Sequence, residues 1–248
     1  MIVYLGDAST LKRYGHDRIN ALFNYYLIQE SHYAYFKGKV ICDSGAFSFM
    51  TDPKRMRRMD IDEYCDNYCE FIKKHDVTNF FELDVDTLLG VDKARGLRSR
   101  IEKNAKRRPI PVWHRERGKK GWEEMCDDYD YVALPLSGKN DTSQWIAQDD
   151  YRRLWWLVNE AHKRGARIHA LGLGMNQRLY KRGAFFSCDS VAYLSNALYG
   201  GGFNYFEPTK GIWRKSAKSK PFRYNTAEVL NQSLAQWKFF SEWAEANL

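Results

Sequence analysis

Short apolar runs of strand length alternate with longer amphipathic stretches from one end of the chain to the other. No other feature constrains the fold as strongly, because this alternation is the pattern of repeated βα units around a parallel sheet. The runs predict strands at 2–5, 40–42, 80–83, 110–113, 131–134, 167–171, 185–188 and 203–206. The spacing between them predicts helices over 9–29, 61–75, 91–106, 122–126, 150–164, 176–181 and 191–199, with a closing C-terminal helix at 226–246. That last helix starts at Thr226, a capping type, and carries Leu230, Leu234, Trp237, Phe240 and Trp243 on one face.

Parallel strands of this number form either a closed barrel or an open doubly wound sheet, and polar groups at the strand ends separate the two. Such groups follow nearly every run: Gly6-Asp7, Asp43-Ser44-Gly45, Asp84 with Asp86, His114, Ser137-Gly138, Gly172 with Gly174, and Asp189-Ser190. An open sheet needs them only beside its switch point, whereas a barrel brings every strand end to one mouth. The expectation is an α/β protein of the (β/α)8 TIM-type barrel class, a single domain over residues 1–248, which is also an ordinary length for that fold.

No apolar run reaches the roughly 20 residues of a membrane-spanning helix, and the first residues read as a strand rather than a leader segment. These features predict a cytoplasmic protein with no membrane partner. Cys42, Cys65, Cys69, Cys126 and Cys188 are odd in number and in no disulfide-framework spacing, which suits a reducing compartment. Cys65 and Cys69 stand four apart on a predicted helix, and no second ligand pair lies near them, so they read as half-buried core residues rather than a metal site.

A formal net charge of +8 favours an anionic macromolecular partner. The excess concentrates at 210–223, where Lys210, Arg214, Lys215, Lys218, Lys220 and Arg223 are interleaved with Trp213 and Phe222 and no acidic residue. This segment reads as a phosphate-backbone surface. Lys103, Lys106, Arg107 and Arg108 form a second basic group, at a helix end where cations also complement the helix dipole.

Several strand ends carry groups capable of chemistry. Asp43-Ser44-Gly45-Ala46-Phe47-Ser48 opens directly after a strand, setting a carboxylate beside a glycine turn, with Phe47 available to a planar ligand; Asp43 also reads as a helix cap and Phe47 as core. In Phe80-Phe81-Glu82-Leu83-Asp84-Val85-Asp86 the alternation sends Glu82, Asp84 and Asp86 to one side. Asp84 is the preferred recognition residue of the three. His114 ends Pro109-Ile110-Pro111-Val112-Trp113-His114, where an imidazole can bind substrate, move a proton or ligate a metal. Asp189, after Phe185-Phe186-Ser187-Cys188, reads equally as a helix cap or a catalytic carboxylate.

Together these residues resemble the tRNA-guanine transglycosylase superfamily, and more closely its small, often phage-encoded relatives and the DNA 7-deazaguanine transglycosylases. Asp43-Ser44-Gly45-Ala46-Phe47 is similar to the superfamily's Asp-Ser-Gly-Gly-Phe-Gln signature, and Leu83-Asp84 to its base-recognising segment. His169-Ala170-Leu171-Gly172-Leu173-Gly174 resembles its Leu-Met-Gly-Val-Gly strand, and Ser187-Cys188-Asp189-Ser190 its nucleophile segment. The resemblance implies a barrel and exchange of guanine for a free 7-deazaguanine-type base in nucleic acid. It assigns Asp189 as the nucleophile that forms a glycosyl-enzyme intermediate, and Asp43 as the group handling protons on the departing and incoming bases. Asp84 would hydrogen-bond the purine edge, Phe47 would stack on the base, and backbone around Gly138 and Leu171 would line the pocket, with Ser44 and His114 as further substrate-binding candidates. Ser48 stands where the signature has glutamine. The family's Cys-x-Cys-x-x-Cys and histidine zinc element is absent, as is its arginine-rich tRNA-contacting segment. The expectation is therefore no cofactor or metal, and DNA rather than tRNA as partner.

Two other readings keep the same residues. A metal-dependent hydrolase would use Asp43, Asp84, His114, His169 and Asp189 as ligands, although no compact ligand pair such as His-x-His is present. A base-binding or base-excising protein would recognise the base without exchanging it.

Overall fold

In the computed structural model, residues 1–27, 29–50, 59–136, 141–194, 204–215 and 226–248 are described. The central sheet has six parallel strands in the order β3-β2-β1-β6-β5-β4: β1 (Ile2–Leu5), β2 (Ala21–Asn24), β3 (Val40–Asp43), β4 (Tyr131–Pro135), β5 (Arg167–Leu171) and β6 (Ser187–Ser190). The sheet is curled. Beyond its two edges, single parallel bridges join Cys42 to Phe80, Phe81 to Ile110 and Val112 to Ala133.

Helices connect the strands. They are α1 (Ala8–Arg13), α2 (Ala46–Met50), α3 (Ile61–Lys74), α4 (Asp86–Leu89), α5 (Val91–Ala105), α6 (Gly118–Asp128), α7 (Asp141–Ala147) and α8 (Arg152–Lys163), with α9 (Thr226–Asn247) after the sheet. The sequence of α3 explains its bounds. The Asp60 side chain accepts from the amides of Asp62 and Glu63 at 2.9 and 3.1 Å, and Lys73 and Lys74 occupy the last turn. Cys65, Tyr68, Cys69, Phe71 and Ile72 recur at helical spacing and are buried. From that buried face Tyr68 donates its hydroxyl to the carbonyl of Phe81 at 3.1 Å, which ties α3 to the bridge segment.

Apolar side chains fall into two groups according to strand parity. Val3, Leu5, Phe23, Cys42, Val132, Leu134, Ile168, Ala170 and Cys188 join the large cluster that also includes the helices. Tyr4, Leu22, Ile41, Phe81, Ile110, Val112, Tyr131 and Ala133 form a separate buried cluster inside the curl. Alternation along each strand therefore supplies two cores, one between sheet and helices and one within the curl.

Several expectations need correction. The predicted helix at 9–29 ends at Arg13, and its later part is strand β2. Tertiary pairing decides this: Leu5 donates its amide to Asn20 O, and Ala21 to Lys39 O, so the segment is hydrogen-bonded on both flanks. The run at 203–206 is not a strand of the parallel sheet. Its described part, β7 (Asn204–Glu207), pairs antiparallel with β8 (Ile212–Lys215) as a separate hairpin. The strand expected at 185–188 lies at Ser187–Ser190. Only a short 3-10 turn, Gln177–Leu179, occupies the helix expected at 176–181, and another, Ala192–Leu194, begins the one expected at 191–199. The remainder of that last helix lies outside the described residues, as do Gly138, Lys218, Lys220, Arg223 and the side chain of Phe47.

Candidate functional site: an acidic mouth at the strand ends

Asp43 is the last residue of β3, and Asp189 lies near the end of β6. Asp84 follows the bridge residues Phe80 and Phe81. Strand parity turns Asp43 and Asp189 to the same side as Ile41 and Ser187, above the inner cluster. The carboxylates meet there. Loss of hydration pushes the Asp43 carboxyl up to about 7, and the charges of Asp84 and Asp189 push in the same direction. Hydrogen bonds from the Gly45 amide at 3.2 Å and Asn24 Nδ2 at 2.7 Å oppose that rise without cancelling it.

The turn after β3 is built for close approach. Gly45 adopts φ +77°, and a Cβ placed on it would lie 2.3 Å from the Cβ of Tyr26, so only glycine fits. Ser44 is fully buried; its hydroxyl accepts from the amide of Ala46, and its carbonyl accepts from Tyr64 Oη at 2.5 Å. Ser44 thus shapes the turn that presents Asp43.

Asp189 is held through one oxygen. Among the described residues its hydrogen bonds fall on Oδ1, from the amide of Gly172 at 2.8 Å and with His169 Nε2 at 3.1 Å. Gly172 adopts φ +66° at the end of β5, which aims its N–H at the carboxylate. Leu171, beside it, is partly exposed and packs against the inner cluster. The His169 ring is completely buried, and its Nδ1 meets Ser187 Oγ at 2.5 Å; Ser187 Oγ in turn meets Tyr131 Oη at 2.5 Å.

His114 lies beside Asp84, with Nε2 3.5 Å from Oδ2, and among the described residues neither of its buried ring nitrogens has a hydrogen-bond partner. Burial works against its protonation, but Asp84 and then Asp86 outweigh it and raise its proton affinity. The expectation that Glu82 and Asp86 share the face of Asp84 fails for a backbone reason. Ladder pairing ends at Glu82, Val85 turns back onto Leu83 O, and α4 begins at Asp86, so strand alternation no longer applies. Glu82 and Asp86 instead converge on buried Arg117, whose Nη2 lies 2.9 Å from Glu82 Oε1 and whose Nε lies 2.5 Å from Asp86 Oδ1. Glu82 also accepts from the amide of Val112 at 2.7 Å. This ion cluster ties the Asp84 segment to the His114 segment.

Of the cationic residues assigned to a phosphate surface, Lys210, Arg214 and Lys215 lie on or beside the hairpin and are exposed. Lys210 Nζ is 2.7 Å and Arg214 Nε 2.5 Å from carboxylate oxygens of Glu207, which stands just outside the basic segment. Among the described residues no group of three His, Cys, Asp or Glu side chains is arranged to hold a metal ion, and no helix is long and apolar enough to cross a membrane. The five cysteines are free and buried.

Sequence reasoning missed Asn24, Gly172's amide and the Ser187–Tyr131 pair as neighbours of the carboxylates. Asn24 was hidden by the helical reading of 9–29. Ser187 stands two residues before Asp189, as His169 stands two before Leu171, and this strand parity was a usable signal for both.

An α/β fold with a curled parallel sheet thus carries three carboxylates near its strand ends, with Asp84 and Asp189 both repelling a charge on Asp43. No protein-family model matches this chain, and a search of curated proteins finds no similar sequence.

Proposed function

We propose that the protein is a nucleobase transglycosylase that exchanges guanine for a 7-deazaguanine-type base in DNA, on a closed (β/α)8 barrel. The closed barrel is supported by the parallel bridges at Phe80, Phe81, Ile110 and Val112, which carry pairing from β3 to β4 around the side the six-stranded sheet leaves open. The activity rests chiefly on one observation. Asp43, Asp84 and Asp189 come from distant parts of the chain to one mouth, where burial first, and the charges of Asp84 and Asp189 with it, bring the proton affinity of Asp43 near neutrality.

Base exchange needs such a set. The Asp189 carboxylate attacks C1′, forming an O–C1′ bond as the C1′–N9 bond breaks and its electron pair leaves with the guanine. The departing base takes a proton, and Asp43, with a pKa of about 7, is suited both to give it and to take one back from the incoming base. The second base then displaces Asp189 from C1′, so the exchange consumes neither water nor net protons. Asp84, with His114 beside it, is placed for hydrogen bonds to the purine edge, and Ser44 and Leu171 belong to the segments that flank it. Because C1′ is hard to reach inside a duplex, the target nucleotide is extruded or already single-stranded. Lys210, Arg214 and Lys215 on the exposed hairpin are the described part of the backbone-binding surface.

The test mixes the protein with an end-labelled oligonucleotide and 7-deazaguanine bases, followed by denaturing electrophoresis. A covalent adduct that the free base discharges, absent with Asp189→Asn, is expected. Exchange by Asp189→Asn at the wild-type rate overturns the assignment, and base release without exchange redirects it to hydrolysis.

A further inference from the structure

We propose that His169 is a positioning residue for Asp189, held as the neutral Nε2–H tautomer by a buried chain through Ser187 to Tyr131. The proposal rests on the reading of Asp189 as nucleophile given above and adds to it the group that fixes which oxygen attacks.

Proton accounting selects the tautomer. An ionised Asp189 only accepts hydrogen bonds, so His169 Nε2, 3.1 Å from Oδ1, carries a hydrogen. A neutral ring then presents a bare Nδ1, which accepts from the Ser187 hydroxyl at 2.5 Å. Ser187 Oγ keeps its acceptor capacity for the Tyr131 hydroxyl, also at 2.5 Å. Every polar atom in the chain is satisfied by one direction of donation. With Asp189 ionised, the reverse direction requires an imidazolium enclosed by Tyr4, Phe81 and Tyr131, whose ring centroids lie 6.2, 5.0 and 6.5 Å from that of His169. Among the described residues only Asp189 lies within ion-pair distance of the ring, and an enclosed cation is costly in general.

The arrangement suits the step it would serve. Gly172 N–H and His169 Nε2–H both hold Oδ1, which leaves Oδ2 to form the bond to C1′ while the C1′–N9 pair departs with the base. In the glycosyl ester Oδ1 becomes a carbonyl oxygen, and neutral donors continue to hold it. An imidazolium partner would instead lose its counter-charge when the ester forms, which would disfavour the intermediate. A neutral histidine therefore orients the nucleophile without penalising the covalent state.

Nitrogen NMR of the uniformly 15N-labelled wild-type protein reads the tautomer directly and needs no variant. A protonated Nε2 with an unprotonated Nδ1 at pH 7 is expected; two protonated ring nitrogens overturn the proposal. In kinetics, His169→Phe keeps a flat ring but removes the donor and should slow adduct formation by about 100-fold, the loss typical of one preorganised donor, with KM for the free base nearly unchanged. His169→Gln, whose amide can reach Asp189, should recover most of that loss. Wild-type adduct formation by His169→Phe, with Asp189→Asn inactive, overturns the positioning role alone. An active Asp189→Asn overturns the underlying assignment instead.

Discussion

The amide of Gly172 reaches Asp189 Oδ1 at 2.8 Å from a left-handed backbone conformation, φ +66°. The hydrogen bond and the glycine are one device, because an L-residue at that φ pays roughly 1–2 kcal/mol and relaxes by turning the N–H away. Gly172→Ala should therefore slow adduct formation by about 10-fold or more while base affinity changes little. Single-turnover rates on the labelled oligonucleotide check this; an unchanged rate would detach the glycine from the site.

Asp43 gives a pH signature in stability. Its folded-state pKa, about 7, lies above the ordinary carboxylate value of 3.8, so the native state binds the proton more tightly than the unfolded chain. The carboxyl is neutral in both states below pH 3.8, and its charge destabilises the fold increasingly as pH rises towards 7. Asp43→Asn should leave stability unchanged near pH 3.5 and raise it by about 1–2 kcal/mol at pH 8, a value reduced for the partial exposure of the site. Urea melts at the two pH values decide it, and equal shifts at both would contradict the coupling. The same group should give exchange a rate limb near pH 7, absent in the Asn variant.

Arg117 is the keystone of the buried ion cluster, with Glu82 and Asp86 both within 2.9 Å of its guanidinium. Arg117→Ala takes the paired guanidinium from buried Asp86 and leaves Glu82 with Arg98 at 3.7 Å, and should cost about 3–5 kcal/mol. Chemical denaturation measures this. A loss below 1 kcal/mol would mean that the pair takes up protons or water at little cost.

On the hairpin, Glu207 pairs with both Lys210 and Arg214 in the free protein. Glu207→Gln should release both cations, tightening binding to single-stranded DNA at low salt and steepening the dependence of log K on log salt. Lys215→Ala should reduce that slope by about 1. Fluorescence anisotropy across a salt series distinguishes these outcomes from a surface that does not touch nucleic acid, for which neither slope moves.

The strands that carry Asp43, Leu171 and the Tyr131 segment were legible because compact apolar runs end in polar turns. β2 was not, since Ala21-Leu22-Phe23-Asn24 sits in a stretch of apolar residues whose spacing also fits a helix, and only pairing to β1 and β3 decides between them. With that run read as helix, the eighth strand falls at 203–206. There the turn residues Pro208, Thr209, Lys210 and Gly211 between two short runs are a hairpin signal. Asp43, Asp84 and Asp189 could be picked out as strand-end carboxylates, but their mutual approach could not, because it depends on how the sheet curls. The partners of Glu82 and Asp86 were equally hidden: alternation was extended past the residue where the ladder stops.

The inner cluster of Tyr4, Leu22, Ile41, Phe81, Ile110, Val112, Tyr131 and Ala133 acts as a stopper beneath the carboxylates. If bases enter only from the carboxylate side of this filled layer, as exchange through Asp189 would have them do, one heterocycle must leave before another can settle. Two-substrate turnover on such a plan runs by the ping-pong route, and in double-reciprocal plots its lines are parallel.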